Sequence, residues 1–131
     1  MTALSNTELL LIVILLQQAL FGLFWLVAAW LRLACRPAVH WAAWSALLAG
    51  GLMLILLRGQ AAQWLSVGVG NLLVLAAFVM LRRGVQRFSR LPFTDREQGC
   101  VLALGLLSAA GTAVPGLNPL PAVLLVGLVI V

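Results

Sequence analysis

The sequence predicts an all-α fold: a polytopic transmembrane helical bundle with four complete helices, a truncated fifth, and its N-terminus outside. Three observations predict it. Hydrophobic residues make up 64% of the chain and charged residues only 8%, far from the proportions of soluble globular domains. Several apolar runs approach or exceed the roughly 18 residues that argue a spanning helix, and the alternation of a membrane barrel is absent. The eight basic residues are all arginines and sit at the ends of those runs, where side chains meet lipid headgroups. A net charge of +5 therefore points to a membrane surface and not to nucleic acid. Residues 1–131 read as a single transmembrane helical domain with no linker and no usable internal repeat.

The first helix opens at Ser5-Asn6-Thr7-Glu8, the S/T-x-x-E capping box in which hydroxyl and carboxylate each satisfy a free backbone N–H. Leu9 to Leu31 carries no charge, and 23 residues at the helical rise span roughly 34 Å, enough to cross a bilayer with some tilt. Because Met1 to Glu8 lacks Lys and Arg, the run has no positive n-region and is read as a retained helix, not a cleaved signal. Arg32, Arg36 and Pro37 end it.

A second helix is expected from about His40 to Leu57, entering through Trp41 and Trp44 at headgroup level. Ala42, Ala46 and Gly50 are spaced four apart, a small-residue stripe of the kind that lets helices approach closely in lipid. Arg58-Gly59-Gln60-Ala61-Ala62-Gln63 is the turn. The third helix returns from Trp64 to Leu81, with Ser66 and Gly70 repeating the small spacing.

Arg82, Arg83, Arg87 and Arg90 follow. If the helix continues past the membrane, Arg83, Arg87 and Arg90 share one face and Val85, Phe88 and Leu91 another, the pattern of an interfacial segment. Pro92 stops it. Thr94-Asp95-Arg96-Glu97 is a second capping box opening a fourth helix from about Asp95 to Val114, with Gly105, Ala109 and Ala113 on one stripe. Pro115-Gly116-Leu117-Asn118-Pro119 is a turn by composition. Leu120 to Val131 then covers only about 18 Å at the helical rise, short of a bilayer core, so the chain is expected to be the N-terminal part of a longer protein.

Arginine count sets the orientation. Arg32, Arg36, Arg82, Arg83, Arg87, Arg90 and Arg96 fall on one side and Arg58 alone on the other; the positive-inside rule places the larger group in the cytoplasm and the N-terminus outside.

Chemistry is sparse. Glu8, Asp95 and Glu97 are the only acids, and Glu8 and Glu97 are taken up in caps, so no carboxylate pair is available for catalysis or for a metal. No catalytic residue, cofactor site or metal site is expected. The absence of Asp, Glu, Lys and Arg from the expected membrane spans lowers the case for an ion-coupled transporter. His40 reads as an interfacial polar residue, and Cys35 and Cys100 as packing residues. Gln17, Gln18 and Asn71 are the polar side chains expected inside the membrane, where interhelical hydrogen bonding is the first explanation. Arg82, Arg83, Arg87 and Arg90 set topology and are candidate contacts for anionic lipid.

Leu56-Leu57-Arg58-Gly59, the Leu65-Ser66-Val67-Gly68-Val69-Gly70-Asn71-Leu72-Leu73 run and Arg83-Gly84-Val85-Gln86-Arg87-Phe88, in this order, resemble the multi-spanning N-terminal membrane region of bacterial GGDEF diguanylate cyclases. The match covers about forty residues, and Ala61 and Ala62 stand where members of that family often carry a turn proline. The resemblance implies a sensory input domain in the bacterial inner membrane, signalling as a homodimer or with a membrane partner to a cytoplasmic cyclase that makes cyclic di-GMP. It makes Arg58, Gly59, Ser66, Gly70 and Asn71 candidate signalling or packing residues; Gln17 and Gln18 join them only as polar side chains within the first span. The GGDEF motif itself is absent, so GTP and magnesium are expected only if such a domain follows Val131. The alternative from another class is a small integral membrane accessory subunit or transporter.

Overall fold

The computed structural model describes residues 5–33 and 35–111, and over them the chain is helical. Four α-helices, α1 (Asn6–Trp30), α2 (Cys35–Leu56), α3 (Gly70–Phe88) and α4 (Asp95–Gly111), follow one another, with a π-helical segment at Trp64–Val69 leading directly into α3. Three stretches, Asn6–Trp30, Arg36–Leu56 and Trp64–Phe88, are long and apolar enough to cross a membrane. The expected end of the fourth helix and the whole fifth apolar run lie outside the described residues.

α1 starts where its capping box places it. The Glu8 carboxylate accepts from the Ser5 N–H at 2.8 Å, and the Ser5 hydroxyl accepts from the Glu8 N–H at 3.3 Å. Most of the remaining surface of α1 is apolar and open, with Leu16, Leu20, Leu23 and Phe24 all exposed. Such a surface is costly in water and suited to lipid.

The end of α1 is a Schellman stop. The N–H of Leu33 donates to the Ala28 carbonyl and that of Arg32 to Ala29, both at 3.1 Å, with Arg32 itself in the left-handed region at φ 58°. α3 ends the same way: the Leu91 N–H reaches the Gln86 carbonyl at 2.9 Å and Arg90 has φ 54°. Two helix ends thus place an arginine where glycine would be cheaper. α2 starts earlier than its tryptophans imply, so Pro37 lies in its first turn. There the missing N–H costs nothing, since the first four N–H groups of a helix have no intrahelical acceptor.

α2 lies between α1 and α3 and packs along both, while α4 lies against α3 and the π segment. Small residues set these distances. Against α1, the Cβ of Ser45 lies 3.4 Å from where Gly22 would carry a Cβ. Against α3, a Cβ on Gly51 would stand 2.8 Å from Val74 Cγ2 and 2.9 Å from the Gly70 carbonyl oxygen. The α2–α3 crossing is therefore at Gly51 and Gly70. Gly50 is an ordinary neighbour of Leu73, and Ala46, grouped with Ala42 and Gly50 by spacing, is exposed. On α2 the buried stripe is Ala38, Ala42 and Ser45.

Trp41 does not face the headgroups alone. Its ring stacks between Trp25 on α1, with centroids 4.4 Å apart, and Phe88 at the end of α3, at 5.7 Å. Its indole occupies the space that a side chain on Gly84 would fill, so Gly84 is the notch that lets three helices share one aromatic row. On the far side of α3, Gly105 of α4 sits against Leu75 and Leu72.

Candidate functional site

Two regions hold the residues singled out by sequence. The first is the α2–α3 turn with the π segment. At the turn, Leu57 accepts from the N–H groups of both Gln60 and Ala61 at 3.0 Å, and Gly59 takes φ 94°, a conformation that L side chains rarely adopt. Gly59 is required there by backbone geometry. Arg58 is exposed beside it.

The chain then enters a helix that is too wide. The N–H of Gly70 donates to the carbonyl of Leu65, five residues back, which is the defining bond of a π turn. Ser66, Val67, Gly68 and Gly70 are buried around it, and the Ser66 hydroxyl turns back to the Ala62 carbonyl at 3.4 Å. Two glycines and a serine allow this widening because they crowd neither the backbone nor the facing helix. Asn71 is half-buried in the first turn of α3.

Gln17 and Gln18 separate. Gln17 is exposed and Gln18 is buried, and the Oε1 of Gln18 has no hydrogen-bond partner, in company with Trp44 Nε1 and Ser45 Oγ on α2. Unpaired polar atoms are costly in an apolar surrounding. From sequence, Trp44 is placed at headgroup level and Ser45 is not singled out, because one hydroxyl on an apolar helix carries no spacing signal.

The second region is the arginine-rich end of the bundle, where the α1–α2 and α3–α4 connections meet. Arg82 pairs with Glu97 at 3.4 Å and Arg83 pairs with Asp95. These pairs are at least one-third exposed, so each adds at most about 1 kcal/mol. Beneath them lies a buried amide network. Thr94 Oγ1 accepts from Gln86 Nε2 at 3.0 Å and from Gln98 Nε2 at 3.2 Å, and Gln98 also donates to Gln86 Oε1 at 3.2 Å. The Thr94 hydroxyl and the Glu97 carboxylate of the second capping-box sequence are thus drawn into contacts with α3.

The other two arginines of the cluster behave differently. Arg87 lies over the Phe93 ring at 5.4 Å. Together with Arg36, Gln86, Arg90, Leu91 and Phe93 it lines a pocket of about 410 Å³. Neither Gln86 nor Arg36 was selected by sequence. Gln86 stands four residues from both Arg82 and Arg90, a helical spacing that could have grouped it with them, whereas only the packing of α2 on α3 brings Arg36 across.

His40 Nδ1 is 2.9 Å from the Arg36 carbonyl, and since a carbonyl only accepts, Nδ1 carries the proton. Cys100 is a free, exposed thiol. Among the described residues, no three His, Cys, Asp or Glu side chains gather as metal ligands.

Comparison with protein-family models, curated proteins and solved structures finds no match to this chain.

Proposed function

We propose that this chain is a membrane-embedded sensory or regulatory input domain of a bacterial signalling protein. In this reading it is a multi-pass bundle of the inner membrane, with its N-terminus outside and its arginine-rich end in the cytoplasm, and it controls a C-terminal diguanylate cyclase. GTP and magnesium belong to that output domain, and no residue of this chain is assigned to catalysis or to a metal.

The observation that carries the reading is the π segment at Trp64–Val69, placed inside the third apolar span and continuous with α3. A π turn holds one more residue than the α-helix needs. Closing it would rotate everything after it by about 100° and move it by about 1.5 Å along the axis, the increments of one helical residue. α3 runs unbroken from there to the arginine-rich end, so the change would arrive at α4 and beyond. π-bulges are frequent at functional sites. The segments that resemble the cyclase-associated regions coincide with the left-handed turn at Gly59, the π segment and the Gly84 notch, which supports the same reading.

A switch of this kind needs a signal that binds one arrangement better than the other. It also needs an output sensitive to helix position, and a cyclase site assembled between two subunits of a homodimer is one. The test is cyclic di-GMP output from the full-length protein carrying Asn71→Leu or Arg58→Ala. A changed output in either variant is expected. Unchanged output in both removes these residues from the switch, and isolation of a dedicated soluble partner with no downstream catalytic domain would favour an accessory subunit instead.

A further inference from the structure

The chain has three acidic side chains and eight arginines, and the structure accounts for every acid. Glu8 is held by Ser5 at the opposite end of α1, Asp95 by Arg83 and Glu97 by Arg82. No side-chain carboxylate is left for Arg36, Arg87 and Arg90, yet these three line one pocket of about 410 Å³. Arg36, Arg87 and Arg90 are exposed, and gathering like charges around one concavity sets up a repulsion that solvent screens only in part. An anion supplied from outside the chain removes that repulsion and accepts their forked N–H donors.

The walls are built to hold such a ligand. Gln86 is only 6% exposed and is locked to Thr94 and Gln98, which fixes α3 against the segment leading into α4. The Phe93 ring supports the Arg87 guanidinium. Arg90 is set by a helix stop whose φ of 54° leaves its backbone little choice. Arg36 comes from the first turn of α2, which has no acidic residue, so the positive end of that helix dipole adds to the field. Leu91 and Phe93 give the pocket an apolar side.

We propose that this pocket binds a phosphate-bearing anion through Arg36, Arg87 and Arg90. Arg82 and Arg83, engaged with their own carboxylates, are not its ligands. The recognised chemistry is a phosphoryl oxyanion, presented either by the headgroup of an anionic phospholipid or by a soluble phosphate. The inference needs the membrane bundle but not the cyclase, so it stands or falls separately from the signalling role.

The experiment uses the full chain, delipidated in neutral detergent, with native mass spectrometry reading the binding of phosphatidylglycerol and of phosphatidylcholine. Inorganic phosphate is added as competitor. Saturable binding of one phosphatidylglycerol is expected, and loss of one guanidinium in Arg90→Gly or Arg36→Gln should weaken it roughly ten- to a hundredfold, the range of a charge-assisted contact. Arg90→Gly relaxes the left-handed backbone, so its loss of binding cannot be assigned to misfolding. Arg96→Gln, which removes an equal charge from a residue that does not line the pocket, should leave affinity within about twofold, since a charge without direct contact acts only through screened solvent. Resistance to millimolar inorganic phosphate identifies the lipid headgroup as the source. Displacement by phosphate identifies a soluble anion. The proposal is overturned if neither anion binds saturably, or if Arg96→Gln costs as much affinity as Arg90→Gly.

Discussion

The α2–α3 crossing yields the sharpest structural prediction, because two adjacent glycines should respond in opposite ways. A Cβ on Gly51 would stand 2.9 Å from the Gly70 carbonyl oxygen and 3.2 Å from the Val74 nitrogen, whereas one on Gly50 meets only Leu73 Cδ1 at 3.6 Å. Ordinary contact begins near 3.4 Å, so Gly51→Ala must open the interface by about 0.5 Å against backbone atoms that cannot rotate away. In lipid, helix association depends on packing, and overpacking of this kind costs about 1–3 kcal/mol. Gly50→Ala meets no such obstacle and gains the helix propensity of alanine, up to about 1 kcal/mol. SDS titration of each variant in mixed micelles reads both stabilities. Gly51→Ala is expected to unfold at lower SDS than wild type and Gly50→Ala at equal or higher SDS. Equal destabilisation of the two, or a neutral Gly51→Ala, would refute the crossing point.

The remaining predictions concern the arginine-rich end. Arg32→Gly and Arg90→Gly each relieve a left-handed residue and should raise stability by about 1 kcal/mol in the same titration, whereas an Arg→Ala change at either site should not. Gln86→Leu leaves Gln98 and Thr94 short of a buried partner and should cost about 1–3 kcal/mol. Adding Gln98→Leu to it should cost less than the sum of the two single changes, which a double-mutant cycle measures; strict additivity would mean that the network is not coupled.

What could be read from the sequence was what depends on local order. The three long apolar spans follow from unbroken runs flanked by arginine, and the start of α1 from a capping box whose partners are three residues apart. Gly59 falls by sequence in the turn between two spans, and its left-handed backbone is what the structure adds. The crossing was missed by one position: Gly50 and Gly51 differ by about 100° around the helix, and composition alone does not say which faces α3. The same ambiguity separates Gln17 from Gln18. The π segment left no trace in composition, since an extra residue in a turn changes the register and not the hydrophobicity. The pairing of Arg82 and Arg83 depended on carboxylates 15 and 12 residues away, and the place of Arg36 on the packing of another helix. For the same reason the second capping-box sequence marked the start of α4 correctly, while its side chains went to α3.

The central claim, an input domain coupled to a cyclase, is tested most directly by the intact mass of the native polypeptide purified from its source membrane. The account predicts a mass well above the 14.0 kDa of residues 1–131, with a catalytic domain after Val131. A native mass of 14.0 kDa would contradict it.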